Sequence, residues 1–370
     1  MGSLLGPSWI GGNKIRTLNN GDEIFPEMLA AIRNALQSIN FETYVYEHGK
    51  IPEAFAQALS ERAAAGVRVN VLVDGHGGKR GKRYRSMMED AGVKLHVYHP
   101  WFDIRRYNYR THRKLLIVDG RIGFIGGVGI GDDWKGRARS AEEWRETHYR
   151  VEGPVVAQLQ AAFADNWLES EEEVLQGPGF FPALPPVGKI YAAAFVSSPR
   201  SHRSHVELMY HLAIASARHS LLIATPYFVP DDTLLDALCA ASRRGVKVAI
   251  LMPGEHIDSK SVRRASRKRW RRLRECGVQL FEYEPTMMHT KLLVADGLFV
   301  SVGSGNFDPR SLRINDEANL NVLDAGFARE QTRIFEADLR RARPVERTGG
   351  PAPAAEIPLQ AIQTPVEGQL

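Results

Sequence analysis

An internal repeat constrains this chain more than any other feature. His112, Lys114 and Asp119 stand in an HxKxxxxD arrangement, and His289, Lys291 and Asp296 repeat it 177 residues later with every position in register. Two copies aligned without a gap mark a duplicated unit. Their surroundings repeat as well. Helical spacing over Phe25 to Asn40, a strand-like run from Phe41 to Tyr46, helical spacing over Ala54 to Ala65 and a strand from Val67 to Val73 make up the first unit. Helix Val206 to Ala217, strand Leu221 to Thr225, helix Thr233 to Arg243 and strand Val246 to Met252 match them in order. Strand, helix, strand order places two parallel strands in one sheet. The expected fold class is therefore α/β: two similar halves, each a mixed β-sheet flanked by helices, with one active site at their pseudo-twofold interface.

The spacing divides the chain into a first domain at 13–170, a linker at 171–188 that is acidic and then rich in Pro and Gly, and a second domain at 189–342. A Pro- and Ala-rich tail follows at 343–370 and is expected to be disordered. With 370 residues, 44% of them apolar, there is enough material for two cores. No stretch reaches the roughly 18 apolar residues of a membrane span. Met1 to Gly12 lacks the basic and apolar regions of a secretory signal, so any membrane contact is expected to be peripheral and on the cytoplasmic side. Cys239 and Cys276 have neither framework nor C-x-x-C spacing; the expectation is no disulfide framework, no cysteine zinc cluster and a reducing compartment.

Each motif runs into an apolar, β-branched strand and an Asp-Gly turn, Asp119-Gly120 and Asp296-Gly297. The chain then resumes as Arg121 to Ile125 and Leu298 to Val302, which reads as a hairpin in each half. Strand alternation puts His112 beside Lys114 and His289 beside Lys291. Asp119 and Asp296, counted with the catalytic motif, have the opposite parity and are expected to fix the turn or nearby backbone.

Gly126-Gly127-Val128-Gly129 and Gly303-Ser304-Gly305-Asn306 follow the hairpins. Gly127, Ser304 and Asn306 are candidate phosphate contacts, because small residues let N–H groups approach an oxyanion and the side chains add donors. Glu146 and Glu317 occupy similar places in the two halves and could each hold a histidine in the needed tautomer. Two imidazoles on opposite sides of a phosphorus, with two lysines to neutralise charge, suit phosphodiester exchange through a phosphohistidine. This chemistry calls for no metal and no cofactor, and neither a magnesium nor a zinc ligand set is evident.

These residues resemble the phospholipase D superfamily, whose signature is two HxKxxxxD motifs followed by Gly-Ser or Gly-Gly and Asn. The resemblance narrows to bacterial cardiolipin synthases through Asn108-Tyr109-Arg110-Thr111-His112, Asp133-Trp134, Trp144-Arg145-Glu146-Thr147-His148, Thr225-Pro226-Tyr227-Phe228-Val229-Pro230 and Asn306-Phe307-Asp308-Pro309-Arg310-Ser311. It spans roughly 13–340 and is closest in form to the shorter synthases without amino-terminal membrane spans. It implies phosphatidyl transfer between phospholipids, phosphatidylglycerol among them, with His112 as nucleophile and His289 as acid and base. Hydrolytic phospholipase D and superfamily nuclease activity are the alternatives. At Gly129 the chain departs from the family, which has Asn there, so the first half lacks one phosphate contact.

His148, His202, His205, His211 and His219 have no such partners and read as structural or surface residues. Lys260 to Arg274 holds nine basic residues and no acidic one, within a chain of net charge +5. Val262, Ala265, Trp270 and Leu273 stripe one side of it. A solvated helix is one reading; the sharper one is an amphipathic helix that meets anionic lipid, with Trp270 and Leu273 as apolar contacts. No stacking platform accompanies it, which argues against nucleic acid as partner.

Overall fold

The structure is a computed structural model that describes residues 6–99, 108–171, 173–198 and 203–345. The first half runs β1 (Ile10–Asn19), α1 (Asn20–Arg33), β2 (Ser38–Thr43), α2 (Lys50–Ala64), β3 (Arg68–Asp74), α3 (Lys82–Asp90), β4 (Lys94–Tyr98), β5 (Arg110–Thr111), β6 (Leu115–Val118), β7 (Ile122–Gly126), β8 (Thr147–Glu152) and α4 (Val156–Glu171). The second half follows with β9 (Ile190–Ser198), β10 (Arg203–Ser204), α5 (His205–Ser216), β11 (Ser220–Ala224), α6 (Asp232–Arg243), β12 (Lys247–Pro253), α7 (Lys260–Glu275), β13 (Gln279–Tyr283), β14 (Leu292–Ala295), β15 (Phe299–Gly303), α8 (Pro309–Arg313), β16 (Asn315–Leu323), α9 (Ala325–Leu339) and β17 (Ala342–Pro344). The tail expected to be disordered from 343 instead begins as strand, since Arg343 and Pro344 lie in β17 and pair with β13; 346 onward lies outside the described residues, as does His202.

The pairings repeat as the spacing predicts. In the first sheet the order is β4-β3-β2-β6-β7-β8-β1, with β2, β3 and β4 parallel and the rest antiparallel. In the second it is β13-β12-β11-β14-β15-β16-β9, with β11, β12 and β13 parallel. Both hairpins form, pairing Leu115 with Ile125 and Leu292 with Val302. The sheets join where the start of β1 pairs with β9.

Burial explains why central strands read as unbroken apolar runs: every residue of β6, β11 and β14 is buried, because both sheet faces are covered. One outer core packs α1 and α2 on the first sheet, and another packs α5 and α6 on the second. A third core runs between the halves, from Leu115, Ile117 and Phe163 to Leu292, Val294 and Phe327, with α4 and α9 inside it. Burying each such side chain contributes about 1.5–3 kcal/mol.

Three expectations change. The helical reading of Phe25 to Asn40 overruns, since α1 ends at Arg33 and Ser38–Thr43 is strand. The cause is tertiary: the Asp119 carboxylate accepts from the N–H groups of Leu36, Gln37 and Ser38 and fixes the turn into β2. Cys239 and Cys276 form a disulfide, with Cα atoms 5.4 Å apart, joining α6 to the end of α7. Helix packing brings together cysteines 37 positions apart, so the cysteine argument for a reducing, cytoplasmic compartment falls. Trp270 and Leu273 face the second outer core rather than solvent. Among the described residues no helix is long and apolar enough to cross a membrane.

Candidate active site

The two motifs are held by strand pairing across the halves. β5, just before His112, runs parallel to the start of β16, and the His112 N–H donates to the Asp316 carbonyl at 2.9 Å. The reverse contact completes the pattern: the His289 N–H donates to the Arg145 carbonyl at 2.8 Å. Asp316 and Arg145 immediately precede Glu317 and Glu146. Each histidine is thereby placed against a glutamate of the other half.

His112 Nδ1 lies 3.0 Å from both Glu317 oxygens, and His289 Nδ1 lies 2.6 Å from Glu146 Oε2. Glu317 also accepts from Ser304 Oγ and Ser311 Oγ, each at 2.5 Å. Burial would raise its carboxyl, but the His112 charge and these hydrogen bonds outweigh it and leave it below the usual range. Glu146 is raised, mainly by burial, with Lys291 opposing. Burial lowers both imidazoles. For His112 the Glu317 carboxylate counters that effect; for His289 Lys291 adds to it, so His289 falls well below its ordinary value.

Both ammonium groups are buried in the same centre. Lys114 Nζ donates to the His112 carbonyl at 2.7 Å and Lys291 Nζ to the His289 carbonyl at 2.5 Å. Burial, then repulsion from Lys291, lowers Lys114 to about 7. Burial lowers Lys291 to about 8, with Glu146 opposing. Lys291 has the Glu146 carboxylate at 3.8 Å, and an entering phosphate adds counter-charge to both ammonium groups.

The flanks of His112 lock it from behind. Thr111 Oγ1 bonds Glu42 Oε1, which also accepts from Asn166 Nδ2 at 2.6 Å, and Arg113 donates to the Ala162 carbonyl at 2.6 Å. Tyr98 Oη reaches Asp316 at 3.1 Å. Sequence reasoning gave these residues no role. Only their alternation with His112 and Lys114 hints at it.

Asp119 and Asp296 hold nearby backbone, as their parity predicts, and are not among the residues that line the cleft: Asp296 accepts from the N–H groups of Arg218, His219 and Ser220 as Asp119 accepts from those of Leu36, Gln37 and Ser38. Ser304 supports Glu317 instead of facing the cleft. The second turn's N–H groups are likewise engaged within the fold, Ser304 N with Ala318 O, Gly305 N with Asn319 Oδ1 and Asn306 N with Ser311 Oγ. Gly127 is needed for close approach, since a Cβ there would sit 2.4 Å from Glu146 Oε2. Asn306 is the turn residue that lines the cleft, and its amide oxygen is buried with no partner among the described residues. His148 is a buried core residue, lowered to about 3 by burial.

The cleft, about 840 Å³, is lined by His112, Lys114, His289 and Asn306, and its ends differ. Arg110, Arg310, Asn108 and His76 stand at one end. Trp134, Trp144, Tyr227 and Asp258 stand at the other, with the two indoles 5.5 and 5.3 Å from the His289 ring. Glu317 follows Glu146 by 171 residues rather than 177, so the first half has six more residues between its glycine turn and its glutamate. Trp134 and Trp144 flank the added length. Trp134 also explains Gly129, because a Cβ at 129 would lie 2.7 Å from Trp134 Cη2. The indole fills the space that the family's Asn would take.

Comparison with known proteins gives one picture. The family model described as "Cardiolipin synthase, PLD-like domain" matches residues 28–167 and 210–339. Cardiolipin synthase 2 of Bacillus anthracis is 34% identical over 336 residues, 88% of this chain and 65% of that protein. Cardiolipin synthase A of Pseudomonas putida is 33% identical over 340 residues, 91% of this chain and 70% of that protein. The chain thus spans just under two thirds of the length of the Bacillus relative. Among solved structures, phosphatidylserine synthase from Haemophilus influenzae superposes with a TM-score of 0.73 at 13% identity, covering 93% of this chain and 90% of that one, and shares the fold.

Proposed function

The chain belongs to the cardiolipin synthase family of the phospholipase D superfamily, and on that premise we propose that it is a phosphatidyltransferase acting through a phosphohistidine. The observation that carries the reading is the pair of imidazoles, each backed by a carboxylate from the opposite half, at one cleft with two buried lysines. His112 attacks phosphorus through Nε2, forming the N–P bond as the P–O bond to the headgroup alcohol breaks. His289 gives its proton to the departing oxygen. The acceptor hydroxyl then returns a proton to His289 as its oxygen attacks phosphorus and the N–P bond breaks. Lys114, Lys291 and Asn306 hold the non-bridging oxygens. Phosphatidylglycerol fits as donor, and the indole wall around His289 favours an alcohol over water as acceptor.

The activity test is product analysis. Vesicles of phosphatidylglycerol incubated with the protein should yield cardiolipin and glycerol by mass spectrometry. Phosphatidic acid without cardiolipin, with lipid and glycerol acceptors supplied, would overturn transfer in favour of hydrolysis.

The same protein is proposed to sit peripherally on anionic lipid through α7. Ser261, Val262 and Ala265 of its first turns form part of the cleft wall, so the helix borders the cleft. Lys260, Arg264 and Lys268 recur every four residues, are exposed, and make no ion pair among the described residues. Arg269 and Arg272, by contrast, pair with Asp232 on α6. With Trp270 and Leu273 turned inward, attachment through this helix rests on charge.

A further inference from the structure

Asp258 is a carboxylate in a cleft built for phosphate, where like charge opposes substrate binding. The other acidic residue of the lining, Asp308, is accounted for: it caps α8, accepting from Arg310 N at 2.9 Å and Ser311 N at 3.1 Å. Asp258 has no such task and makes no ion pair among the described residues. It accepts a hydrogen bond of 2.5 Å from Tyr227 Oη. Tyr227 follows β11 and Asp258 follows β12, so both stand beyond the carboxyl ends of parallel strands, where open α/β sheets bind ligands. The Tyr227 ring meets His289 edge-on at 6.5 Å, and Ser259 and Ser261 continue the wall.

This places a fixed hydrogen-bond acceptor just beyond the imidazole that handles the alcohol proton. We propose that Asp258, positioned by the Tyr227 phenol, is the residue that reads the headgroup alcohol, accepting from the hydroxyls of a glycerol unit both when it leaves and when it arrives. The inference rests on the transferase reading and on His289 as acid and base. A neutral polyol is favoured over an ammonium alcohol because the amines of Lys114 and Lys291 stand together beside the two histidines, where a third cation has no place. An alcohol without further hydroxyls gains nothing from the carboxylate.

The test is phosphatidyl exchange from phosphatidylglycerol vesicles to soluble acceptors, comparing wild type with Asp258→Ala, Asp258→Asn and Tyr227→Phe. Isotopically labelled glycerol, 1-propanol, ethanolamine and water compete as the four acceptors. Asp258→Ala should lower the ratio of glycerol product to 1-propanol product, and of glycerol product to hydrolysis, about tenfold or more, a partition that the shared donor step does not alter. Asp258→Asn, which keeps an acceptor oxygen, and Tyr227→Phe should fall between. An unchanged glycerol-to-propanol ratio overturns the inference, whatever happens to the overall rate, as does a fall confined to the ethanolamine product. Wild-type protein that transfers to no alcohol would remove the transferase reading and this inference with it. Wild-type transfer without discrimination by Asp258 would remove this inference alone.

Discussion

His112 is held by Glu317, 205 positions away and in the other half of the molecule, at 3.0 Å from both carboxylate oxygens. Glu146 does the same for His289 in the opposite sense, at 2.6 Å. Neither half contains both members of either of these two imidazole–carboxylate pairs. The pairing is enforced by backbone, because each histidine N–H bonds the carbonyl just before the partner glutamate.

Glu317→Gln and Glu146→Gln should each lower kcat on the order of a hundredfold or more, since an amide can hold the wrong tautomer and cannot stabilise the imidazolium. Circular dichroism should show an unchanged fold. An unaltered kcat in either variant would show that its carboxylate does not orient the ring for chemistry.

Phosphate binding should take up a proton near neutral pH. In the empty site burial and Lys291 hold Lys114 at about 7, so above that pH most of the site lacks this charge. A bound anion favours the ammonium and raises its pKa. Affinity for dimethyl phosphate, whose own charge is constant in this range, should therefore fall as pH rises through 7 to 8. Calorimetry in buffers of different ionisation enthalpy reads the proton directly; no uptake at pH 8 would contradict the assignment.

Asp119→Ala and Asp296→Ala should cost stability rather than chemistry. Each strips a carboxylate from three backbone N–H groups, a loss of about 1–3 kcal/mol. A lower melting temperature with kcat of the folded fraction within about threefold is the expected pair of readings. A thousandfold loss of kcat at full stability would return these residues to the reaction.

Gly129→Asn, although it restores the family residue, should be destabilising here because its Cβ meets Trp134 at 2.7 Å. Adding Trp134→Ala should relieve the clash and recover part of the lost melting temperature. If the single variant is as stable as wild type, the indole is more mobile than its burial implies.

What the sequence makes legible follows from physical range. The repeat, the parallel units and the hairpins are local patterns of apolar spacing and turn residues, so they can be read along the chain. The parity of Asp119 against His112 and Lys114 likewise separates its role from theirs. Which glutamate serves which histidine cannot be read this way, because the answer lies in β5 meeting β16 and Arg145 meeting Met288 across the halves. Ser304 shows the same limit: a hydroxyl in a glycine turn looks like a phosphate donor until Glu317 is seen beside it. Helical periodicity assigns Trp270 and Leu273 to one face of α7 but does not say what covers that face. Tyr227 stands in a motif that the sequence does single out, but nothing local shows that its phenol meets Asp258, 31 positions further on.

Changing Lys260, Arg264 and Lys268 together to Gln should weaken binding to anionic vesicles by about 3 kcal/mol, on the order of a hundredfold, at about 1 kcal/mol per charge. The wild-type affinity should decline with salt as the Debye length shortens from about 10 Å at 0.1 M. Hydrolysis of a soluble phosphodiester, as a control for folding, should stay within about threefold. Unchanged vesicle binding in a sedimentation assay would leave α7 as a solvated helix.

The pair Trp134 and Trp144 over His289, with no indole pair over His112 among the described residues, gives the site a direction. Two imidazoles related by a perfect twofold axis would be interchangeable, and a diester could be cleaved with either one as nucleophile. Here the His289 ring is covered by two indoles and the His112 ring meets only the Tyr44 phenol among the described aromatic rings, edge-on at 5.2 Å, so a substrate that enters backwards meets different surroundings at both ends. The repeat supplies two like partners, and the different side chains around them set the order in which they act.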